Sequence, residues 1–235
     1  MSDESPEHLE RRKELIQLEL TIDELSMDTF DVSQLKKLGV NVRPMSLDRG
    51  SSCNPSFFAQ HASLPKPDGD TIEEVRSSLH CEDTCFTRPV DRARQVQSPW
   101  LYCIPYWTQG KREDSFWTIE DVGDYTPYKF LYQFDQPEFG TNLNADNGVI
   151  LRGELLTILR LMLGQLRKRR FLRHMIAPIF LISFMGKRAR AFESYFDGQA
   201  LFLRTSKLYE FPEQTSTRFP TLAEWYLSMP IGVTS

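Results

Sequence analysis

The feature that most constrains this chain is the stretch 149–211, where one long apolar helix pattern gives way to three strand-like runs. Leu151, Leu155, Ile158, Leu159, Met162 and Leu166 fall on one wide helical stripe, and Leu156, Leu161 and Leu163 add apolar surface on other sides. A helix that is apolar on more than one side must be covered on more than one side, so it is the expected centre of the core. Ile179–Phe184 is short, continuous and apolar, the pattern of a strand buried on both faces. Asp197-Gly198 then gives a two-residue hairpin signal between the runs 188–197 and 199–207.

Residues 5–27 also read as helix. Ser5 can cap, Pro6 suits the first helical position, and Leu15, Leu18, Ile22 and Leu25 recur at three- and four-residue spacing. That stripe serves either as a helix laid on the chain's own core or as a surface for a protein partner through residues 6–27. Residues 40–98 are dominated by turn formers such as Ser51-Ser52-Cys53-Asn54-Pro55 and Leu64-Pro65-Lys66-Pro67, so a poorly ordered connecting segment is expected, with a short helix at 72–79. The aromatic-rich runs 100–107 and 116–122 flank a polar stretch and suggest a hairpin with a long loop. Tyr128, Phe130, Tyr132 and Phe134 alternate as on one face of a strand, whose rings could instead stack on a planar ligand. Thr221 and Glu224 form a capping-box pattern for a short helix over 221–229, stopped by Pro230.

The expected fold is therefore α+β. A mixed sheet of about five to six strands packs on a long central helix (149–171), with an N-terminal helix and a short C-terminal helix. The expected organisation is an amphipathic helical segment at 1–39, the connecting segment at 40–98, and a single α+β core domain at 99–230. A hydrophobic share of 40% with 12% aromatic residues is enough for a sizeable core. The net charge of −4 gives no global reason to expect nucleic acid as a partner, so any such surface has to be local. Four cysteines are too few for a disulfide framework in 235 residues. The acidic, polar first residues lack the pattern of a secretory leader, and Met175–Met185 is too short to span a bilayer and contains Pro178. Cytoplasm or nucleus, without a membrane partner, is the expectation.

Four constellations could carry chemistry. The first is Glu154 early in the helix, Glu193 in the second strand run, Asp197 at the hairpin and Lys207 at the end of the third. Clustered carboxylates with a cation can hold Mg²⁺ and steady an attacking water. A helix followed by three strands bearing such residues loosely resembles the PD-(D/E)XK nuclease fold. That resemblance implies a helix Glu, a strand Asp and a Glu-x-Lys on the next strand. Here Thr205 stands two before Lys207 and Asp197 lies on a turn, so the motif is incomplete. The alternative is that Glu154 favours a helix N-terminus and the others are surface charges.

The second is a basic cluster: Arg167, Lys168, Arg169, Arg170, Arg173, Lys187 and Arg188 are candidates for contacting phosphate or nucleic acid. Arg167-Lys168-Arg169-Arg170 also matches a minimal nuclear-import pattern, although cations in a last helical turn equally suit the helix dipole. The third is His80, Cys81 and Cys85, one short-spaced set of zinc-type ligands without a second pair, for which free thiols are the simpler explanation. The fourth is the aromatic face already described, most simply ordinary cross-strand core.

The stretches Glu120–Asp135, His174–Gly186 and Ala200–Phe211 resemble an uncharacterised group of fungal proteins. That resemblance implies no catalytic residues. A well-patterned core without a complete catalytic set leads to the expectation of a non-catalytic intracellular interaction or regulatory domain that needs no cofactor. A degenerate metal-dependent nuclease or phosphodiesterase using Mg²⁺ is the alternative.

Overall fold

The computed structural model describes residues 4–62, 111–113, 116–118, 146–185, 188–210, 218–226 and 228–235. The chain begins with α1 (Pro6–Glu24), β1 (Thr29–Asp31), α2 (Val32–Lys37), β2 (Val40–Pro44) and β3 (Phe58–Ala59). After β4 (Lys111–Glu113), β5 (Phe116–Thr118) and β6 (Val149–Leu151) come α3 (Arg152–Leu166) and a 3₁₀ turn at Arg169–Phe171. The last elements are β7 (Ile179–Met185), β8 (Arg188–Phe196), β9 (Leu201–Thr205), β10 (Tyr209–Glu210), α4 (Arg218–Tyr226) and β11 (Met229–Pro230). The fold is mixed α+β.

Among the described residues the main sheet has five strands. β7, β8 and β9 form an antiparallel meander, β2 adds to β9 in parallel, and β10 follows β9 along the same edge of β8. Gly198 holds φ +97° in the turn between β8 and β9, where Asp197 Oδ1 accepts the N–H groups of Gln199 and Ala200 at 2.8 and 2.9 Å. The hairpin expected at Asp197-Gly198 is therefore present. Ser206 interrupts the run from β9 to β10. Its N–H donates to Ala191 O at 2.9 Å, and its Oγ, in place of a backbone carbonyl, accepts the Ala191 N–H at 2.9 Å. The side chain thus replaces one rung where the register between the two strands slips by a residue.

Because side chains alternate across a sheet, the two faces build two cores. Ile179, Phe192, Phe196, Leu201, Leu203 and Val40 face α1 and α3. Phe180, Ile182, Ala189, Ala191 and Tyr209 face α4, Met45, Leu47 and Phe58. Trp225 of α4 shares this core with the small Ala189 and Ala191 and stacks on Phe180 with ring centroids 5.8 Å apart, and its indole N–H donates to Leu47 O at 2.9 Å. α1 and α3 lie antiparallel. Arg152, at the start of α3, donates to Ile22 O and Asp23 O near the end of α1, whereas Arg11 near its start donates to Met175 O beyond the end of α3. In α1, Ser5 Oγ accepts the His8 N–H at 3.1 Å as expected of the cap, and Leu15 and Ile22 are fully buried.

Several expectations need correction. The helix expected over 149–171 is the fifteen-residue α3. Val149–Leu151 instead pairs antiparallel with β1, and the chain turns into 3₁₀ beyond Leu166. Extended Leu151 is the N-cap and has no acceptor of its own, so Glu154 reaches back to its N–H at 2.9 Å and fixes the helix start three residues late. Ile179–Phe184, expected as a strand buried on both faces, is half-buried at Phe180–Ser183: β7 pairs only with β8 among the described residues, and β8 occupies the middle. Residues 4–39 and 40–62 pack with the core: α1 covers α3, β2 extends the sheet, and Met45, Leu47 and Phe58 are buried. α4 begins at Arg218, ahead of Thr221, and Glu224 accepts from Arg49 and Gln60 in place of a capping bond. β5 pairs with Lys111–Glu113, inside the stretch expected to be loop. The runs 63–98, 100–107 and 128–134 lie outside the described residues. No described helix is long and apolar enough to cross a membrane.

Candidate functional site

The four residues with catalytic potential occupy four separate environments. Glu154, 5% exposed, meets Arg190 of β8, 2% exposed, in a two-pronged pair: Arg190 Nε donates to Oε1 at 3.1 Å and Nη2 donates to Oε2. Arg190 Nη1 donates to Val149 O at 2.6 Å, and the guanidinium lies 5.0 Å from the Phe192 ring centroid. One arginine thus ties the start of α3, the start of β6 and the centre of the sheet together. Both carboxylate oxygens are occupied by donors of the same chain. A charge this deeply buried is tolerable only when so matched.

Glu193 is fully buried and stands on β8 three positions after Arg190. An odd spacing on a strand reverses the face, so its carboxylate lies on the opposite side of the sheet from Glu154. Oε1 accepts the N–H groups of Ser56 and Phe57 at 2.6 and 2.7 Å, and Oε2 meets Arg204 Nη1 at 2.5 Å. Arg204 is the direct cross-strand neighbour of Glu193 and also donates to Cys53 O and Asn54 O at 3.1 and 2.9 Å. This pair clamps the 53–57 loop onto the sheet. Asp197 is spent on its turn, and exposed Lys207 lies over the Tyr209 ring at 5.7 Å.

The expected carboxylates are therefore not brought together. Strand parity puts a sheet between Glu154 and Glu193, and no group of three metal-type ligands converges among the described residues. His80, Cys81 and Cys85 lie outside the described residues. Sequence reasoning missed Arg190 and Arg204 as partners of the two carboxylates. The available signal was an Arg-x-x-Glu strand with two alanines around the arginine, a pattern too polar for a central strand unless both charges are answered.

The basic cluster is divided. Arg167, Arg169 and Arg173 are exposed around the 3₁₀ turn at the C-terminal end of α3, with Lys168 half-buried among them. Arg188 sits at the far end of β7, a seven-residue strand spanning about 20 Å, and pairs with Asp146 at 3.2 Å and Glu210 at 3.5 Å. Lys187 and the side chain of Arg170 lie outside the described residues. In α1, the face expected to dock a partner is the one that covers α3, and two exposed aliphatics, Leu9 and Leu20, remain outward.

Among the described residues, Asp31 has its carboxyl lowered from the ordinary value. The hydroxyl of Ser33, then the N–H of Gln34, hold Asp31 below 3.8 where it caps α2. Comparison with protein-family models, with curated proteins and with solved structures found no match.

Proposed function

We propose that this chain is a non-catalytic interaction or regulatory domain, working in the cytoplasm or nucleus and requiring no cofactor. The observation that supports this most is the engagement of both buried carboxylates by arginines of the same chain, on opposite faces of the sheet. A hydrolytic metal would have to displace Arg190 from Glu154 and leave a buried guanidinium without its counter-charge, which is strongly unfavourable.

The test is incubation of the full chain with single- and double-stranded DNA and RNA in Mg²⁺ or Mn²⁺. No cleavage above buffer is expected. Metal-dependent cleavage that is lost in Glu154→Ala would overturn the reading. Partner recovery must be tested without truncation, because removing residues 1–40 would strip α1 from α3 and open the core. Docking through residues 6–27 has the outward face of α1 left to it, so Leu9→Glu with Leu20→Glu in the full chain should reduce recovery of a protein partner from the native cell. Unchanged recovery would remove α1 as the docking element.

A further inference from the structure

The geometry points to the turn at Arg167–His174 as a contact surface for single-stranded nucleic acid, with arginines on phosphates and the Phe171–His174 ring pair under a base. This rests on the interaction-domain reading above and gives its partner a chemistry. The chain carries 32 acidic residues, yet none lies between Glu154 and Glu193, a stretch holding nine Lys and Arg. Other arginines of that stretch are answered by acids from elsewhere: Arg160 by Glu19 and Asp23, Arg188 by Asp146 and Glu210, Arg190 by Glu154. Arg167, Arg169 and Arg173 are exposed and form no ion pair with any described residue. The helix dipole accounts for Arg167 alone, since its pull fades within the last turn and α3 ends at Leu166.

The turn is also held in place. Lys168, Phe171 and His174 each donate an N–H back three residues at 2.9 Å, which winds the segment tightly. Thr234 O accepts from Met175 and Ile176 at 2.7 and 3.1 Å, Thr234 Oγ1 meets His174 Nδ1 at 2.6 Å, and Arg11 binds Met175 O. A surface fixed before binding loses less entropy on binding. Half-buried Phe171 and His174 stand edge to face, with centroids 5.7 Å apart, among the arginines. Guanidinium forks match phosphate oxygens two at a time, and rings beside them accept a stacked base of any identity. An anionic bilayer would use the charges without a role for the ring pair, so nucleic acid is the occupant the site favours.

Fluorescence anisotropy with a short labelled oligo(U) at low salt tests this on the full chain. Wild type should bind. Arg167→Glu/Arg169→Glu/Arg173→Glu should bind at least about ten-fold more weakly, with the slope of log K against log salt smaller by about 2 for three lost contacts on a single strand. The Gln triple at the same positions should fall between the two, and Arg188→Glu, at the other end of β7, should bind as wild type does. Absence of binding, equal binding by the triple variant, or capture by phosphatidylserine vesicles without oligonucleotide binding would each overturn the proposal. Recovering the oligonucleotide after incubation with Mn²⁺ separates the two levels. Shortened oligonucleotide overturns the interaction-domain reading, whereas intact but unbound oligonucleotide overturns only the nucleic-acid surface.

Discussion

The two faces of the central sheet each bury one glutamate against one arginine, in unequal surroundings. Under α3 both members of the Glu154–Arg190 pair are enclosed, at 5% and 2% exposure. On the α4 face Glu193 is fully buried, but Arg204 reaches the rim at 13%. The enclosed pair joins three elements, and the rim pair holds a loop. The difference matters because a buried charge that loses its partner is costly in proportion to how far water is from reaching it.

The largest expected effect is on the enclosed pair. Arg190→Met leaves Glu154 buried and uncompensated, and urea unfolding should show a loss of about 3–5 kcal/mol. The double change Glu154→Leu/Arg190→Met should recover part of that loss, but not all, because Glu154 also holds the Leu151 N–H and Arg190 the Val149 carbonyl. If Arg190→Met costs less than Glu193→Gln, the distinction between the faces is wrong. Glu193→Gln should cost about 2–3 kcal/mol, because hydrogen bonds to a charged group are lost at a site where Arg204 can turn to solvent. Proteolysis should then begin in the 53–57 loop.

These pairs also mark where the sequence was legible. α1 with its Ser5 cap, the Asp197-Gly198 turn and the apolar stripe of α3 follow from local rules of capping, turn geometry and periodicity. The 188–197 run was legible as a strand, but its central place in the sheet was not. Arg188–Phe196 carries two arginines and a glutamate, and only partners distant in the chain, Glu154 and Arg204, make it a buried strand. β2 was equally hidden, since Val40–Pro44 is a plain short run until β9 provides a parallel neighbour. Of the candidate carboxylates, Glu154 and Glu193 are buried and Asp197 serves its turn. The meaning of the two buried ones depended on the arginines that face them. Arg190 and Glu193 fall in one strand run at odd spacing, but which side chain answers each carboxylate is settled only by the packing of α3 and β9 on that strand. The basic cluster was legible as composition, but its division between the two ends of β7 was not.

A smaller effect sharpens the bulge between the two halves of β8's edge. Ser206→Ala removes the oxygen that receives the Ala191 N–H and should cost about 1 kcal/mol in chemical unfolding, with β10 losing hydrogen-exchange protection first. The smallest lies outside both pairs. Asp31 is held below its ordinary 3.8, so its charge stabilises the fold above that value, and the contribution disappears as pH falls through the lower folded-state value. Asp31→Asn should therefore lower stability slightly at neutral pH, change it little once the pH is below the folded-state value, and so flatten the acid limb of the stability curve. A steeper acid limb in the variant would contradict the cap.

The central claim is that Glu154 is held by Arg190 as structure and not kept free for chemistry. A double-mutant cycle by urea unfolding, using Glu154→Gln, Arg190→Met and their combination, measures that directly. A coupling of about 2 kcal/mol or more is the expected result for groups in contact within one buried network. Additive single effects, agreeing within about 0.5 kcal/mol, would mean the pair carries no shared energy and would contradict the account.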